Sequence, residues 1–184
     1  MQKTIFITGA SSGLGKSAAQ LFQSKGWNVI ATVRNTDKET ELAALDNVTV
    51  LKMDVTDKDQ LDEMITDVLS RYDINVVLNN AGYGLIGPLE SFSDEQIKKQ
   101  IETNLMSTIR ITKTFTPYFR EKREGVLINI TSNFGVMGFP ACSVYSSTKY
   151  AVDGFSESMG YELTQFGAKV KTVDSREKVR SYEL

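Results

Sequence analysis

Residues 4–15 read TIFITGASSGLG, a short apolar run that passes directly into a glycine-rich turn. The run at 4–8 is typical of a strand that is buried on both faces of a parallel sheet. The turn has the spacing G-x3-G-x-G, and glycine there permits positive φ and a close backbone approach. A helix that begins at the turn offers free N–H groups and a positive dipole end to a phosphate. The stretch therefore predicts a phosphate-binding turn, with tight strand–helix packing as the structural alternative.

A second phosphate-binding pattern overlaps the same turn. Gly15-Lys16-Ser17 resembles the end of the loop G-x-x-x-x-G-K-[ST] of nucleotide hydrolases. That pattern requires glycine at position 10, where Ala10 stands, and Gly9 is one residue out of register. We therefore interpret Lys16 and Ser17 as solvated residues of the first helical turn, and a nucleotide hydrolase as the less favoured alternative.

Beyond the turn, apolar and β-branched runs alternate with helical patterns. Strands are predicted at 4–8, 28–33, 48–53, 74–79, 125–131 and 169–173. Helices are predicted near 14–25, 37–45, 57–70, 94–119 and 143–166, with Pro117 in the last turns or at a kink of the fourth. This alternation predicts an α/β fold, a Rossmann-type doubly wound parallel sheet in three layers with strand order 3-2-1-4-5-6.

The composition excludes several classes of function. The 184 residues carry 21 Lys and Arg against 23 Asp and Glu, a balance that argues against binding to nucleic acid or to a membrane surface. The absence of histidine excludes a Ser-His-Asp triad and a His-ligated zinc. The single cysteine, Cys142, excludes an intrachain disulfide and a four-cysteine metal site, so no metal site is expected. With no recognisable signal peptide or membrane span, the expected location is the cytoplasm.

A second motif, Tyr145-Ser146-Ser147-Thr148-Lys149, lies in the fifth predicted helix. Tyr145 and Lys149 are four residues apart and therefore share one helix face. An ammonium group beside a phenol favours the phenolate and lowers a pKa that starts near 10. Lowering it to near 7 requires roughly 4 kcal/mol, more than one lysine usually supplies. In a chain without histidine, this pair is the candidate acid–base machinery, and a coincidental spacing is the alternative.

These motifs together resemble the short-chain dehydrogenase/reductase family, in particular its steroid- and retinol-dehydrogenase-like members. The resemblance covers roughly residues 3–173 and rests on the glycine turn, on Asn79-Asn80-Ala81-Gly82, and on Asn104, Ser132, Tyr145 and Lys149 in that order. It implies an NAD(P)-dependent oxidoreductase that interconverts a carbonyl and a secondary alcohol by hydride transfer. The alternative is an inactive module that only binds a dinucleotide.

The resemblance implies a role for each of the four candidate catalytic residues. Tyr145 would be the acid–base residue, and Lys149 would bind the nicotinamide ribose and lower the tyrosine pKa. Ser132 would hydrogen-bond the substrate oxygen. Asn104 would hold a water in a proton relay to Lys149. Ser132 and Asn104 also have plainer structural interpretations. Ser132 could merely end a strand, and Asn104 could be a helix residue that bonds neighbouring backbone.

The resemblance also implies a cofactor site. Its residues would be Gly9, Ser11, Ser12, Gly13, Leu14, Gly15, Arg34, Asp54, Val55, Asn80, Ala81 and Gly82, with Tyr145 and Lys149. Arg34 directly follows the second predicted strand, whereas the next acidic residue, Asp37, lies further into the loop. An arginine at this place accommodates a 2′-phosphate, so NADP(H) is expected, with NAD(H) as the alternative.

The loops after the fourth and fifth strands are expected to line the substrate pocket. They carry the apolar or aromatic residues Tyr83, Leu85, Ile86, Pro88, Phe134, Val136, Met137 and Phe139, which suit a small apolar carbonyl or alcohol. The helices at 94–119 and 143–166 resemble those that pair across subunits in the family. They predict a homodimer or homotetramer, with Ile111 and Phe115 either at that interface or in the core.

Residues 174–184 depart from the family pattern, which continues after the sixth strand with a Pro-Gly, a mobile lid and a seventh strand. We therefore divide the chain into a dinucleotide-binding domain at 1–173 and a charged segment at 174–184, predicted to form a short surface helix from near Ser175. Three alternatives account for the departure: a segment is missing near Val173 or Asp174, the protein is a shortened form, or it is a short inactive protein that binds a partner. The first is favoured because mobile lids are the parts most often unseen.

Overall fold

Four strands and three helices form the first of two structural units, Met1–Ala81. The computed structural model describes residues 2–174 and 179–181 of the chain. The strands are β1 Thr4–Thr8, β2 Asn28–Val33, β3 Val48–Lys52 and β4 Ile74–Asn79, and the helices are α1 Gly13–Ser24, α2 Thr40–Ala43 and α3 Lys58–Arg71. Strand β1 pairs in parallel with β2 and β4, and β2 pairs with β3, which gives the order β3-β2-β1-β4.

The core of the first unit follows from the apolar runs. All five residues of β1 are buried, as expected for a strand covered on both faces. Helix α3 begins where the Asp57 carboxylate accepts a hydrogen bond from the Gln60 backbone N–H, and it buries Leu61, Ile65 and Val68 at helical spacing. The buried strands fix where the turn after β1 begins.

The second unit, Gly82–Leu184, contains the remaining helices and strands. They are α4 Asp94–Ile101, α5 Ser107–Lys122, β5 Gly125–Ile130, α6 Ser143–Thr164, β6 Ala168–Val173 and β7 Val179–Ser181. A π-helical turn, Glu102–Met106, joins α4 to α5, and 3₁₀ turns occur at Leu89–Ser91 and Asn133–Gly135. Strand β5 pairs in parallel with β6, and β7 pairs antiparallel with β6.

Most predicted elements are confirmed, and three differ. The helix predicted at 37–45 is a 3₁₀ turn, Thr36–Lys38, followed by α2. The helix predicted at 94–119 passes through Pro117 and ends at Lys122, because the next residue, Arg123, adopts a left-handed conformation with φ of 55°. The helix predicted from Ser175 is wrong at Val179–Ser181, because this segment is hydrogen-bonded along the edge of β6.

Three further expectations concern subunit pairing, a membrane span and the division of the chain. Ile111 and Phe115 are fully buried within α5, so they belong to the core and not to an exposed pairing surface. Within residues 2–174 and 179–181, no helix has the length and apolar character needed to cross a membrane. Residues 175–178 and 182–184 lie outside the described part of the chain, and the division at residue 173 stays a prediction.

Candidate functional site

The glycine turn after β1 has a geometry that requires its glycines. Gly9 and Gly13 have φ values of 66° and 55°, in the left-handed region that other residues rarely adopt. A Cβ atom on Gly9 would lie 2.9 Å from the Ala81 Cα, and one on Gly15 would overlap the Asn80 amide and lie 2.5 Å from the Gly9 carbonyl oxygen. The turn is therefore packed closely against the segment that follows β4.

Thr8 and Asn80 hold that packing together. The Thr8 hydroxyl oxygen accepts hydrogen bonds from the backbone N–H groups of Asn80, at 3.0 Å, and Ala81, at 3.1 Å. The Asn80 side-chain amide donates to the backbone oxygens of Thr8 and Gly9, both at 3.0 Å. Asn80 thus acts by fixing the turn, a role that the sequence did not reveal, and Thr8 joins the site as a residue that the sequence analysis missed.

The N-terminus of α1 is open to a ligand. Ser11, Ser12, Gly13 and Leu14 are exposed. Ser12 is the N-cap residue in extended conformation, and its hydroxyl makes no capping bond. A Cβ on Gly13 would have no atom within 4 Å. Free N–H groups at the positive end of a twelve-residue helix fit the phosphates of a dinucleotide.

Ser17 is exposed and Lys16 is partly exposed, and Lys16 is in addition ion-paired. Its ammonium nitrogen lies 3.1 Å from the Glu39 carboxylate and 3.0 Å from the Glu41 carboxylate. A lysine whose charge is matched by two carboxylates is poorly suited to reach a β- or γ-phosphate. Together with Ala10 in place of the required glycine, this argues against the nucleotide hydrolase alternative.

The remaining cofactor candidates of the first unit surround the ends of β2 and β3. Arg34 follows β2 and is exposed. Val55 is buried, whereas Asp54 is exposed, and its carboxylate accepts hydrogen bonds from the Thr56 backbone N–H at 2.9 Å and hydroxyl at 2.7 Å. Asp54 therefore stabilises the turn before α3.

In the second unit, Lys149 is a charged group in a buried position. Only 5% of it is exposed, and its ammonium donates a hydrogen bond to the Ile130 carbonyl oxygen at 2.7 Å. The same ammonium lies 5.8 Å from the centroid of the Tyr145 ring. Burial lowers the pKa of Lys149 from 10.5 to about 8. A buried ammonium beside the candidate acid–base residue is the kind of perturbed group found at functional sites.

Asn104 lies in the π-helical turn and is almost fully buried. Its side-chain oxygen accepts from the Tyr83 backbone N–H at 3.0 Å, and its amide nitrogen donates to the Tyr83 carbonyl at 2.8 Å and to the Thr148 hydroxyl at 3.2 Å. Gln100, also buried, donates to the same Tyr83 carbonyl at 2.9 Å. Asn104 therefore fixes the segment after Gly82, and Gln100 and Thr148 are partners that the sequence analysis missed.

Gly82 gives that segment a close approach to the catalytic candidates. A Cβ on Gly82 would lie 3.2 Å from the Asn104 side-chain oxygen and 3.8 Å from the Lys149 ammonium nitrogen. The structure thus brings Gly82, Asn104 and Lys149 together. Since π-helical turns are frequent at functional sites, the position of Asn104 agrees with a role there.

Ser132 and Tyr145 are linked through an aromatic side chain. Ser132 is buried two residues after β5, and its hydroxyl oxygen accepts a long hydrogen bond, 3.4 Å, from the Phe134 backbone N–H. The Phe134 ring meets the Tyr145 ring edge to face, with centroids 5.3 Å apart, and meets the Phe139 ring at 4.4 Å. A Cβ on Gly135 would lie 2.9 Å from the Lys149 carbonyl oxygen, so the turn after Ser132 packs directly on α6.

Comparison with known proteins decides the family. The profile of the short chain dehydrogenase family matches residues 3–175. The chain belongs to the short-chain dehydrogenase family. The resemblance predicted from the glycine turn and the Tyr145–Lys149 pair is thereby confirmed.

Two curated relatives of this short-chain dehydrogenase show which part of a longer protein it matches. It is 37% identical over 167 residues to 3-ketodihydrosphingosine reductase of Bacteroides thetaiotaomicron, covering 90% of this chain and 60% of that protein. It is 33% identical over 192 residues to human retinol dehydrogenase 8, covering 98% of this chain and 60% of that protein. The chain thus spans about three fifths of the length of these relatives, and the similarity to a retinol dehydrogenase was expected.

A solved structure supports the fold of this short-chain dehydrogenase. ElxO with NADP bound superimposes with a TM-score of 0.89 at 31% identity, over 95% of this chain and 73% of that chain. The predicted Rossmann-type parallel sheet, with six strands in the order 3-2-1-4-5-6, is confirmed.

The pKa of Lys149 predicts how the stability of this short-chain dehydrogenase depends on pH. Because the folded-state pKa is about 8 and the ordinary value is 10.5, the unfolded chain binds more protons between these pH values. The free energy of unfolding should therefore rise with pH across this window, by about 3 kcal/mol for this group alone. Lys149→Met removes the titration, so the free energy of unfolding of this variant minus that of wild type should fall as pH rises from 7.5 to 10.

Urea unfolding at pH 7.5, 9 and 10 would measure this difference. The matched control is Lys98→Met, at an exposed position on α4. A difference between wild type and Lys149→Met that stays constant from pH 7.5 to 10 would contradict the lowered pKa.

Proposed function

We propose that this chain contains the catalytic core of an NADP(H)-dependent oxidoreductase that interconverts a carbonyl and a secondary alcohol on an apolar substrate. The observation that carries the proposal is the buried Lys149 ammonium, held by the Ile130 carbonyl beside the Tyr145 ring and close to Asn104 and Gly82. An inactive dinucleotide-binding module could use such a lysine for the ribose, but it would have no use for the proximity of the ammonium to the Tyr145 phenol.

The first unit would bind the dinucleotide through its phosphates. The open N-terminus of α1 and the glycine turn provide N–H donors, and Gly15 and Asn80 keep that turn in place. In the second unit, Lys149 would hydrogen-bond the nicotinamide ribose. When bound, the cofactor supplies the hydride that reduces the carbonyl carbon, or accepts it in the reverse direction.

The protein's own residues would handle the proton and the oxygen. In the direction of reduction, the Tyr145 hydroxyl donates its proton to the substrate oxygen, and the Lys149 ammonium stabilises the resulting tyrosinate. The Ser132 hydroxyl oxygen accepts from Phe134 and so keeps its own hydrogen for the substrate oxygen. In the direction of oxidation, the tyrosinate takes the alcohol proton, and the same groups act in reverse.

The substrate class is argued from exposed apolar side chains of the second unit. Tyr83, Ile86, Val136 and Met137 are large apolar or aromatic residues that stay exposed on the loops after β4 and β5. These loops are joined by a hydrogen bond of 2.8 Å from the Gly87 N–H to the Ala141 carbonyl. A Cβ on Gly84 would lie 3.9 Å from the Tyr145 ring, so one of these loops runs past the candidate acid–base residue. Exposed apolar side chains beside a reactive group suit an apolar substrate.

Turnover tests the proposal. Purified protein is mixed with NADPH and a panel of ketones and aldehydes that share a carbonyl but differ in apolar area, and NADPH oxidation is followed by absorbance. We expect the rate to increase with the apolar area of the substrate. Tight binding of NADPH without turnover on any substrate would favour the inactive module, and binding of ATP in place of NADPH would favour the nucleotide hydrolase.

Arg34 is expected to select the cofactor. If its guanidinium contacts the 2′-phosphate, Arg34→Ala should weaken NADPH binding tenfold or more, about 1.5 to 3 kcal/mol, and leave NADH binding nearly unchanged. Fluorescence titration with both dinucleotides measures this. Lys38→Ala, at an exposed basic residue of the same loop, is the matched control. Equal losses for NADPH and NADH would exclude Arg34 as the residue that recognises the phosphate.

A further inference from the structure

The ion pairs of Lys16 connect two segments that the proposed function assigns to cofactor binding. Lys16 lies in the first turn of α1, and both of its partners, Glu39 and Glu41, lie beyond β2 at the start of α2. The side chain of Lys16 is 21% exposed and that of Glu39 only 3% exposed. The pair thus joins a buried carboxylate to a lysine that keeps partial contact with solvent, and the buried Glu39 fixes the position of the ammonium group.

Glu39 is fixed by more than the lysine. Its carboxylate oxygen Oε1, which faces Lys16, also accepts a hydrogen bond of 3.1 Å from the Leu42 backbone N–H, as the N-cap of α2. Its own N–H donates to the Thr36 carbonyl at 3.1 Å. Glu39 therefore joins the α1 turn, the start of α2 and the 3₁₀ turn at Thr36–Lys38.

The 3₁₀ turn at Thr36–Lys38 is itself held in place close to Arg34. The Asn35 side-chain oxygen accepts from the Asp37 backbone N–H at 3.0 Å and caps this turn. At the other end, the Ala10 N–H donates to the Thr32 carbonyl at 3.0 Å, which holds the start of the glycine turn to the end of β2. Arg34 thus lies on a short segment that is fixed at both ends, at Thr32 and at Glu39.

We propose that Lys16, through its pair with Glu39, is a positioning residue for cofactor selection: it holds the segment that carries Arg34 where the guanidinium can meet a 2′-phosphate. The inference rests on the proposed function, and on Arg34 as the phosphate-recognising residue. Lys16 itself does not contact the phosphate, since two carboxylates already match its charge. The pair therefore acts on the choice between NADPH and NADH, and only through Arg34.

A double-mutant cycle tests the proposal. The dissociation constants of NADPH and NADH are measured by fluorescence titration for wild type, Lys16→Met, Arg34→Ala and the double variant. We expect Lys16→Met to lower the preference for NADPH over NADH roughly fivefold. The double variant should lose no more preference than Arg34→Ala alone, because Lys16 has no route to the phosphate except Arg34. Lys16→Arg, which can still pair with both carboxylates, should keep the wild-type preference.

Glu39→Gln separates positioning from direct contact. The glutamine side chain can still accept from the Leu42 N–H, but the ion pair with Lys16 is lost. A positioning role predicts a weaker preference for NADPH, whereas a lysine released toward the phosphate would strengthen it. A strengthened preference, additive losses in the double variant, or equal losses of NADPH and NADH in Lys16→Met would each overturn the inference.

The same titrations distinguish a failure of the proposed function from a failure of the inference about Lys16. A wild-type protein that binds neither dinucleotide contradicts the proposed function, and one that binds both equally contradicts the role of Arg34; either result removes the inference with it. A wild-type protein that prefers NADPH, with an unchanged preference in both Lys16→Met and Glu39→Gln, leaves the proposed function in place and overturns the inference alone.

Discussion

Tyr145→Phe is expected to lower turnover with NADPH and an apolar carbonyl substrate by at least about 10²-fold, the usual contribution of a general acid. The substitution removes one oxygen and keeps the ring, so the edge-to-face contact with Phe134 should persist. NADPH affinity and the free energy of unfolding should therefore stay close to wild type. Steady-state kinetics, dinucleotide titration and urea unfolding on the same preparation measure the three quantities.

Tyr150→Phe is the matched control, because Tyr150 lies on the same helix, α6, with nearly half of its surface exposed. It should leave turnover unchanged. Wild-type turnover in Tyr145→Phe would show that another group transfers the proton and would refute the mechanism. A parallel loss of NADPH affinity would mean instead that the hydroxyl serves cofactor binding.

Gly15→Ala is expected to disrupt the phosphate-binding turn. The added methyl group would overlap the Asn80 side-chain amide and lie 2.5 Å from the Gly9 carbonyl oxygen, and neither can move without breaking hydrogen bonds between Thr8, Gly9 and Asn80. We expect a loss of about 1 to 3 kcal/mol in the free energy of unfolding. Displacing the turn should also weaken NADPH binding roughly tenfold or more, since a lost hydrogen bond to a charged phosphate costs about 1.5 to 3 kcal/mol.

The same substitution at Gly154 is a control with the opposite sign. Gly154 lies inside α6, is exposed, and a Cβ there would have no atom within 4 Å. Gly154→Ala should therefore stabilise the protein by up to about 1 kcal/mol through helix propensity and leave NADPH affinity unchanged. Full NADPH affinity in Gly15→Ala would show that the close packing of the turn on Asn80 is unnecessary for binding.

The strands were predictable because burial on both faces leaves a direct trace in the sequence. The apolar runs at 5–7 and 76–78 indicate strands that are covered on both sides, and the structure buries β1 and most of β4 accordingly. The π-helical turn left no such trace, since Glu102–Met106 contains neither glycine nor proline. The strand at Val179–Ser181 was missed because it depends on a partner, the edge of β6, and not on its own charged surroundings.

For the candidate site, the sequence predicts the proximity of residues that share one short motif. It does not predict hydrogen bonds between residues that are far apart in the chain. Tyr145 and Lys149 are four residues apart, so their proximity follows from helix geometry alone. Thr8 and Asn80 are 72 residues apart, and Asn104 and Thr148 are 44 apart, so their hydrogen bonds depend on the complete fold. Threonine and glutamine are also common at caps and surfaces, so neither residue type marked Thr8 or Gln100 as part of the site.

The π-helical turn also changes how the helical segment from Asp94 to Lys122 should be aligned. A π-helical turn is closed by i→i+5 hydrogen bonds, so it takes up one residue more than an α-helical turn. Beyond Glu102–Met106, the side chains of α5 are therefore rotated by about 100° relative to a helix that continued without this turn. The segment therefore contains one residue more than an uninterrupted α-helix with the same number of turns would contain. An alignment with an uninterrupted helix needs a one-residue gap at the turn, beside Asn104.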